Sequence, residues 1–369
     1  MFANTEPMTP LRFLERSAEV FPDRRAVVHG SREWTYREFQ RDVHRFATAL
    51  LPLVAGAQSP GPEGYRREED PAEGTSRAAS STSEEFQGVD LLERDWPTVA
   101  MVAPNVPAAL MAHYAVPAAG AVLVPLNPRL SARELNYILE HCGARVVLAD
   151  VSALETVAEA LANRPGVALV QIPDDQAGLP AVRDGVGAGV PTLEEFLDGT
   201  PSAPPQTEGT AGGAVRWAVA DENTPITLNY TSGTTGRPKG VLYSHRGAYL
   251  NSLGEVFHNG FTGETRYLWT LPMFHCNGWC TTWAVTAAGG THVCLRAVRP
   301  DAIWQAFDQE GITHLCGAPA VCSVIVDAEQ AHPLEHPIRI TTAGAPPAPS
   351  IIERPETPGF EVVHVQGLT

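Results

Sequence analysis

A chain of 369 residues, 44% of them hydrophobic and only 18% charged, exceeds one ordinary domain and carries enough apolar surface for a large core. Its formal net charge of −16 argues against nucleic acid as a partner, because binding a polyanion depends on clustered Lys and Arg. The most apolar stretch, 115–126, is interrupted by Pro117 and Pro125 and falls short of the roughly 20 residues a membrane-spanning helix needs, so no transmembrane segment is expected.

The first residues carry acids early and no continuous apolar run, which fits neither a secretory signal nor a transit peptide; a soluble cytoplasmic protein is the default expectation. Thr9-Pro10 is placed as N-cap and first residue of a helix. Arg25 to Val28 reads as a short strand, and Thr35 with Glu38 has the spacing of a capping box opening a second helix. Residues 55–90 are rich in Gly, Pro, Ser and Glu with almost nothing to bury, and are expected to form a disordered insert.

From 98 to 172 short apolar runs alternate with helical segments, which predicts crossover units and a parallel sheet with helices on its faces. Ser131 with Glu134, and Ser152 with Glu155, have capping-box spacing, and Gly143 stands where a helix C-cap belongs. Residues 173–216 read as a polar connection rich in Gly and Pro, and new strand and helix signals begin at Trp217. The expected fold is α/β: two similar layered α/β subdomains with largely parallel sheets, 1–172 and 217–369. Whether they are separate domains or halves of one stays open in the sequence.

The six cysteines, 142, 276, 280, 294, 316 and 322, lie mostly in apolar segments and fit buried thiols better than disulfides. His275, Cys276 and Cys280 lack the second ligand pair that a zinc site requires.

The chemistry concentrates at 231–240. Thr231, Ser232, Gly233, Thr234, Thr235, Gly236, Arg237, Pro238, Lys239 and Gly240 supply four hydroxyls, three glycines and a lysine in ten residues. Glycine lets backbone N–H groups approach a phosphate, hydroxyls donate to it, and an ammonium offsets its charge. Pro225–Tyr230 reads as a strand before this loop, and Ser244 as the N-cap of a helix after it. Lys239 lies between Pro238 and Gly240, which is not the Walker arrangement. On composition alone, a polar Gly-rich turn is the competing reading.

The run YTSGTTGRPKGVLYSHRGAYLNS resembles, nearly residue for residue, the phosphate-loop signature of the adenylate-forming superfamily, which includes acyl-CoA synthetases. That resemblance implies ATP, Mg²⁺ and coenzyme A as reactants around a small-molecule carboxylate. It places Thr231, Ser232, Gly233, Thr234, Thr235, Gly236 and Lys239 on the phosphates, with Thr231 also within reach of magnesium. LPMFHCNGW, 271–279, is similar to the segment between the nucleotide and acyl pockets, with His275 and Trp279 lining the acyl entrance and Cys276 near the nucleotide. THLCGAPAVCSVIV, 313–326, is similar to the acyl-pocket wall. Gly344, Ala345 and Pro346 look like the adenine-side loop, and His364, Val365, Gln366 and Thr369 like the next nucleotide motif, with Gln366 where a tyrosine is usual.

Two prolines, Pro355 and Pro358, interrupt a helix expected before that motif. The resemblance puts an acidic magnesium ligand, the ribose-binding acid and a lysine-bearing domain beyond Thr369, where a peroxisomal address would also sit. The catalytic residues are therefore expected outside this chain. Its implied function is ATP-dependent formation of an acyl-adenylate and then an acyl-CoA, with a non-catalytic nucleotide- or acyl-binding protein as the alternative.

Overall fold

Residues 6–54, 96–198, 215–231, 237–344 and 359–365 are described by the structure, a computed structural model. The expected insert at 55–90 and the Pro355–Pro358 segment lie outside them. Helix α1 (Leu11–Val20) opens one residue later than Thr9-Pro10 suggests. Thr9 Oγ1 accepts from Leu11 N at 3.3 Å and meets His245 Nδ1 at 2.8 Å, so its hydroxyl is spent on a long-range contact. Strands β1 (Arg25–His29) and β2 (Arg32–Thr35) form an antiparallel pair that leads into α2 (Tyr36–Val54). The predicted Thr35–Glu38 box forms: the Glu38 carboxylate accepts from Thr35 N at 2.8 Å and Thr35 Oγ1 from Glu38 N at 3.2 Å.

The alternating stretch folds as β3 (Thr98–Val102), α3 (Pro107–Ala118), β4 (Val122–Leu126), α4 (Ala132–His141), β5 (Ala144–Asp150), α5 (Leu154–Ala160) and β6 (Ala168–Ile172). Ser131 and Glu134 make a capping box, and Gly143 takes φ +63° just past α4. Ser152 and Glu155 do not make one. Asp150 accepts from both Ser152 N and Ser152 Oγ, and Ala153 occupies the N-cap of α5. A carboxylate two residues upstream outcompetes the box because it satisfies both donors at once.

Residues 173–198 are more than a polar connection. They hold α6 (Leu193–Leu197), whose Thr192–Glu195 capping box fixes its start. The buried Gln171 side chain donates to the carbonyls of Val182 and Val190 and accepts from Val182 N.

The second half supplies β7 (Pro225–Thr231), β8 (Lys239–Ser244), α7 (His245–Asn259), β9 (Arg266–Leu268), a short turn α8 (Cys276–Trp279), α9 (Thr281–Ala288), β10 (Thr291–Val293), α10 (Pro300–Glu310), β11 (His314–Gly317), α11 (Pro319–Val326), β12 (Ile338–Thr342) and β13 (Phe360–His364). One sheet has the order β6-β5-β3-β4-β7-β8 and the other β13-β12-β11-β9-β10-β1-β2. Every pair is parallel except β1/β2 and β7/β8. The fold class is therefore α/β with largely parallel sheets.

Sheet membership does not follow the division of the chain at 173–216. The first hairpin joins the sheet built by 266–364, and β7/β8 joins the sheet built by 98–172. One continuous core, running from Leu11 to Cys316, fills the space between the sheets. All 12 residues of α3 are buried there, as a helix apolar on every side must be. A buried leucine such as Leu110 holds about 2–5 kcal/mol against truncation to alanine.

Candidate functional site

The chain does not pass from strand to loop to helix at 225–245, as the sequence suggests; β8 intervenes. Lys239–Ser244 pairs antiparallel with β7, in a register that sets Thr231 opposite Lys239 and Asn229 opposite Val241. Ser244 then caps α7, accepting from Gly247 N at 3.1 Å. The run expected to bind phosphate thus connects the two strands of a hairpin. Ser232, Gly233, Thr234, Thr235 and Gly236 lie outside the described residues, and Thr231 and Lys239 bracket them, the Lys239 side exposed. Hydroxyl and ammonium at the two ends are the right donors for a polyphosphate, and the Thr231 oxygen is a hard ligand of the kind Mg²⁺ takes.

A second segment, 269–280, ties the two sheets together. Asn105, after β3, donates to the carbonyls of Trp269 and Leu271 at 2.8 and 3.0 Å and accepts from Met273 N at 2.8 Å. Thr270 Oγ1 donates to Cys316 O on β11. Beyond it, Cys276, Asn277, Gly278, Trp279 and Cys280 all have φ between +50° and +62°. For the four non-glycine residues this left-handed path costs about 1–2 kcal/mol each, so surrounding contacts must hold it. Asn277 Nδ2 donates to Thr227 Oγ1 on β7 at 2.9 Å, and Thr281 Oγ1 to Gly278 O at 2.6 Å. A Cβ at Gly278 would lie 2.5 Å from Trp269 Cζ3, so glycine is needed for space as well as conformation.

Of the residues expected around the acyl entrance, His275 is exposed with Nδ1 3.3 Å from Cys276 Sγ, and Trp279 is half-buried against the core. Of those expected around adenine, Gly344 takes φ +92° just after β12, and His364 stands opposite Thr342 in the β12/β13 register. Val365 N donates to Thr342 O at 2.9 Å. Ala345, Pro346, Gln366 and Thr369 lie outside the described residues. Thr231, Gly344 and Val365 share one feature: each stands at the C-terminal end of its strand, where open α/β sheets bind ligands.

Two polar side chains point to the same region: Asn229, which the sequence shows only as part of a strand, and Thr342, which opens the run resembling the adenine-side loop. Asn229 on β7 is buried with neither amide atom hydrogen-bonded, and Thr342 Oγ1 at the end of β12 is buried without a partner. Buried polar groups are costly unless satisfied, and orphans beside strand ends are what a bound polar ligand would complete.

A cleft of about 700 Å³ opens where the loops after β3, β4, β5, β9 and β10 meet. Its lining includes Asn105, Arg129, Ser152, Phe274, Arg296 and Arg299. At its edge Arg296 makes a two-pronged contact to Asp150, at 2.5 and 2.9 Å, and a 3.0 Å bond to Asp174, which in turn meets His29 Nε2 at 2.9 Å. The two carboxylates hold the Arg296 pKa up, although burial opposes them. Burial raises the Asp174 pKa, but the His29 and Arg296 bonds together lower it further, so the net shift is down.

The model of the AMP-binding enzyme family matches residues 93–369. An acetate–CoA ligase of Humulus lupulus is 37% identical over 379 residues, a match covering 100% of this chain and 58% of that protein. An acetate/butyrate–CoA ligase of Arabidopsis thaliana is 35% identical over 381 residues, with the same coverage of each. The chain thus spans 58% of the length of these relatives. Among solved structures, the inhibitor-bound N-terminal domain of FACL13 from Mycobacterium tuberculosis superimposes with a TM-score of 0.73 at 22% identity, covering 98% of this chain and 76% of that one. At that identity the likeness concerns the fold.

Proposed function

The chain belongs to the AMP-binding enzyme family, and we propose that it binds ATP and a small carboxylic acid for conversion of the acid to its adenylate and then to a coenzyme A thioester. The observation that carries this reading is the β7/β8 hairpin, which brings Thr231 and Lys239 face to face at the two ends of the hydroxyl- and glycine-rich loop. A carboxylate oxygen attacks the α-phosphorus, the bond to the β-phosphate oxygen breaks, and pyrophosphate leaves. The thiol of coenzyme A then attacks the acyl carbon and displaces AMP.

A carboxylic acid is already ionised at neutral pH, so the first step needs no general base. It needs charge stabilisation, which Lys239 and the loop hydroxyls supply as fixed donors. Thr231 would help to hold Mg²⁺, which would supply neutralisation of phosphate charge there. Exposed Arg129 and Arg299 at the cleft suit the phosphates of coenzyme A. Acetate is the preferred test acid because the relatives described above are acetate-activating ligases by name. Several relatives are named peroxisomal, which supports that compartment for this protein. Among the described residues no helix is long and apolar enough to cross a membrane.

Acetate-dependent exchange of labelled pyrophosphate into ATP tests the proposal. Exchange that requires the acid supports activation. ATP binding without exchange overturns activation by these residues alone and leaves nucleotide binding, and binding of neither ATP nor acid overturns both readings.

A further inference from the structure

Six thiols are present in the described residues, none in a disulfide, and one has surroundings unlike the others. Cys280, Cys294, Cys316 and Cys322 are buried, and burial pushes the Cys142, Cys280 and Cys316 thiols up to about 12. Such groups are inert. Cys142 and Cys276 are both half-buried, and what sets Cys276 apart is its sulfur, 3.3 Å from Nδ1 of the exposed His275.

That contact depends on the backbone. Adjacent side chains diverge in both a right-handed helix and a strand. The left-handed conformation at Cys276, φ +50°, turns its side chain back over its neighbour instead. The strain of the 276–280 turn therefore has a chemical consequence: it creates a Cys–His pair from consecutive residues. The Tyr243 hydroxyl from β8 also faces the sulfur, and Cys280 lies across the turn with Glu255 of α7 behind it.

We propose that Cys276, with His275 as its proton acceptor, is a reactive thiol and a site of covalent modification by soft electrophiles and peroxides. The His275 pKa is raised, first by its bond to the Cys276 sulfur and against an opposing effect of burial. With an alkyl iodide the thiolate forms the S–C bond, the C–I bond breaks, and iodide leaves with the electron pair. With hydrogen peroxide the sulfur attacks one oxygen and the O–O bond breaks. The departing hydroxide takes the proton from His275 as water; sulfur is oxidised by two electrons to sulfenic acid and peroxide is reduced. Because Asn277 joins the turn to β7, an adduct would stand beside the hairpin that carries Thr231 and Lys239.

The test reads thiol chemistry and is independent of whether the chain activates an acid. The intact protein is treated with limiting iodoacetamide across pH 5–9 and the adducts are located by mass spectrometry. Cys276 should react at least about tenfold faster than the other five, with a pH midpoint below the ordinary thiol value of about 8.5. His275→Gln should slow it about tenfold and return the midpoint to that value, while Cys142→Ser leaves the pattern unchanged. Label spread over several cysteines, or a Cys276 rate indifferent to His275→Gln, would overturn the proposal. If His275→Gln does not fold, the midpoint in the unsubstituted protein decides: a value at or above the ordinary one contradicts it.

Discussion

Glu255 is a carboxyl on α7 that burial holds protonated, its pKa pushed up to about 7 despite a 2.7 Å bond from Asn259 Nδ2. The folded value lies above the unfolded one, so stability is greatest below the unfolded pKa and falls as pH rises from about 4.5 to about 7. At 1.36 kcal/mol per unit the penalty above pH 7 is on the order of 2–3 kcal/mol, taking some solvent screening into account. Glu255→Gln keeps an acceptor for Asn259 and removes the ionisation. Thermal melts should show the variant several degrees more stable at pH 8 and level with the unsubstituted protein at pH 4; equal melting temperatures at both would remove the explanation. At this scale the sequence was legible where a local spacing governs, as at Ser131 and Glu134. It was illegible at Ser152, whose partner Asp150 was missed, and at Asn277, whose partner Thr227 lies 50 residues away.

Among the elements, the strand-ending loops are linked by charge rather than by apolar contact alone. Asp150 ends β5, Asp174 follows β6, His29 ends β1 and Arg296 follows β10, so one ion network joins both sheets at the cleft. Asp150 is fully buried. Removing the guanidinium would leave the buried Asp150 with only the Ser152 donors and Asp174 with His29 alone, a loss of about 3–5 kcal/mol. Arg296→Ala should therefore lower the denaturation midpoint in urea by that equivalent, and Arg296→Ala combined with Asp150→Asn should recover part of it. A loss below 1 kcal/mol would show that water replaces the pair. The β7/β8 hairpin teaches the same lesson in another form. The strand before the loop and the Ser244 cap were visible in sequence, but β8 was hidden because Lys, Gly and a polar loop mask a strand whose pairing, not its composition, makes it extended.

For the whole molecule, the parallel α/β class followed from alternating apolar and helical segments, whereas the exchange of hairpins between the sheets did not. Strand pairing across 200 residues leaves no periodic trace, and β1 reads the same whether its neighbour is β3 or β10. This exchange matters for function: it welds both sheets into one core and brings the strand ends bearing Thr231, Gly344 and Val365 into one body. We propose that this body binds ATP through the hairpin, and calorimetric titration of Mg·ATP into the protein and into Lys239→Ala is the decisive measurement. Binding should be saturable and weaken roughly tenfold to a hundredfold in the variant, as expected when a charged hydrogen bond of about 1.5–3 kcal/mol is lost. Equal affinities in the two proteins, or no binding by either, would contradict it.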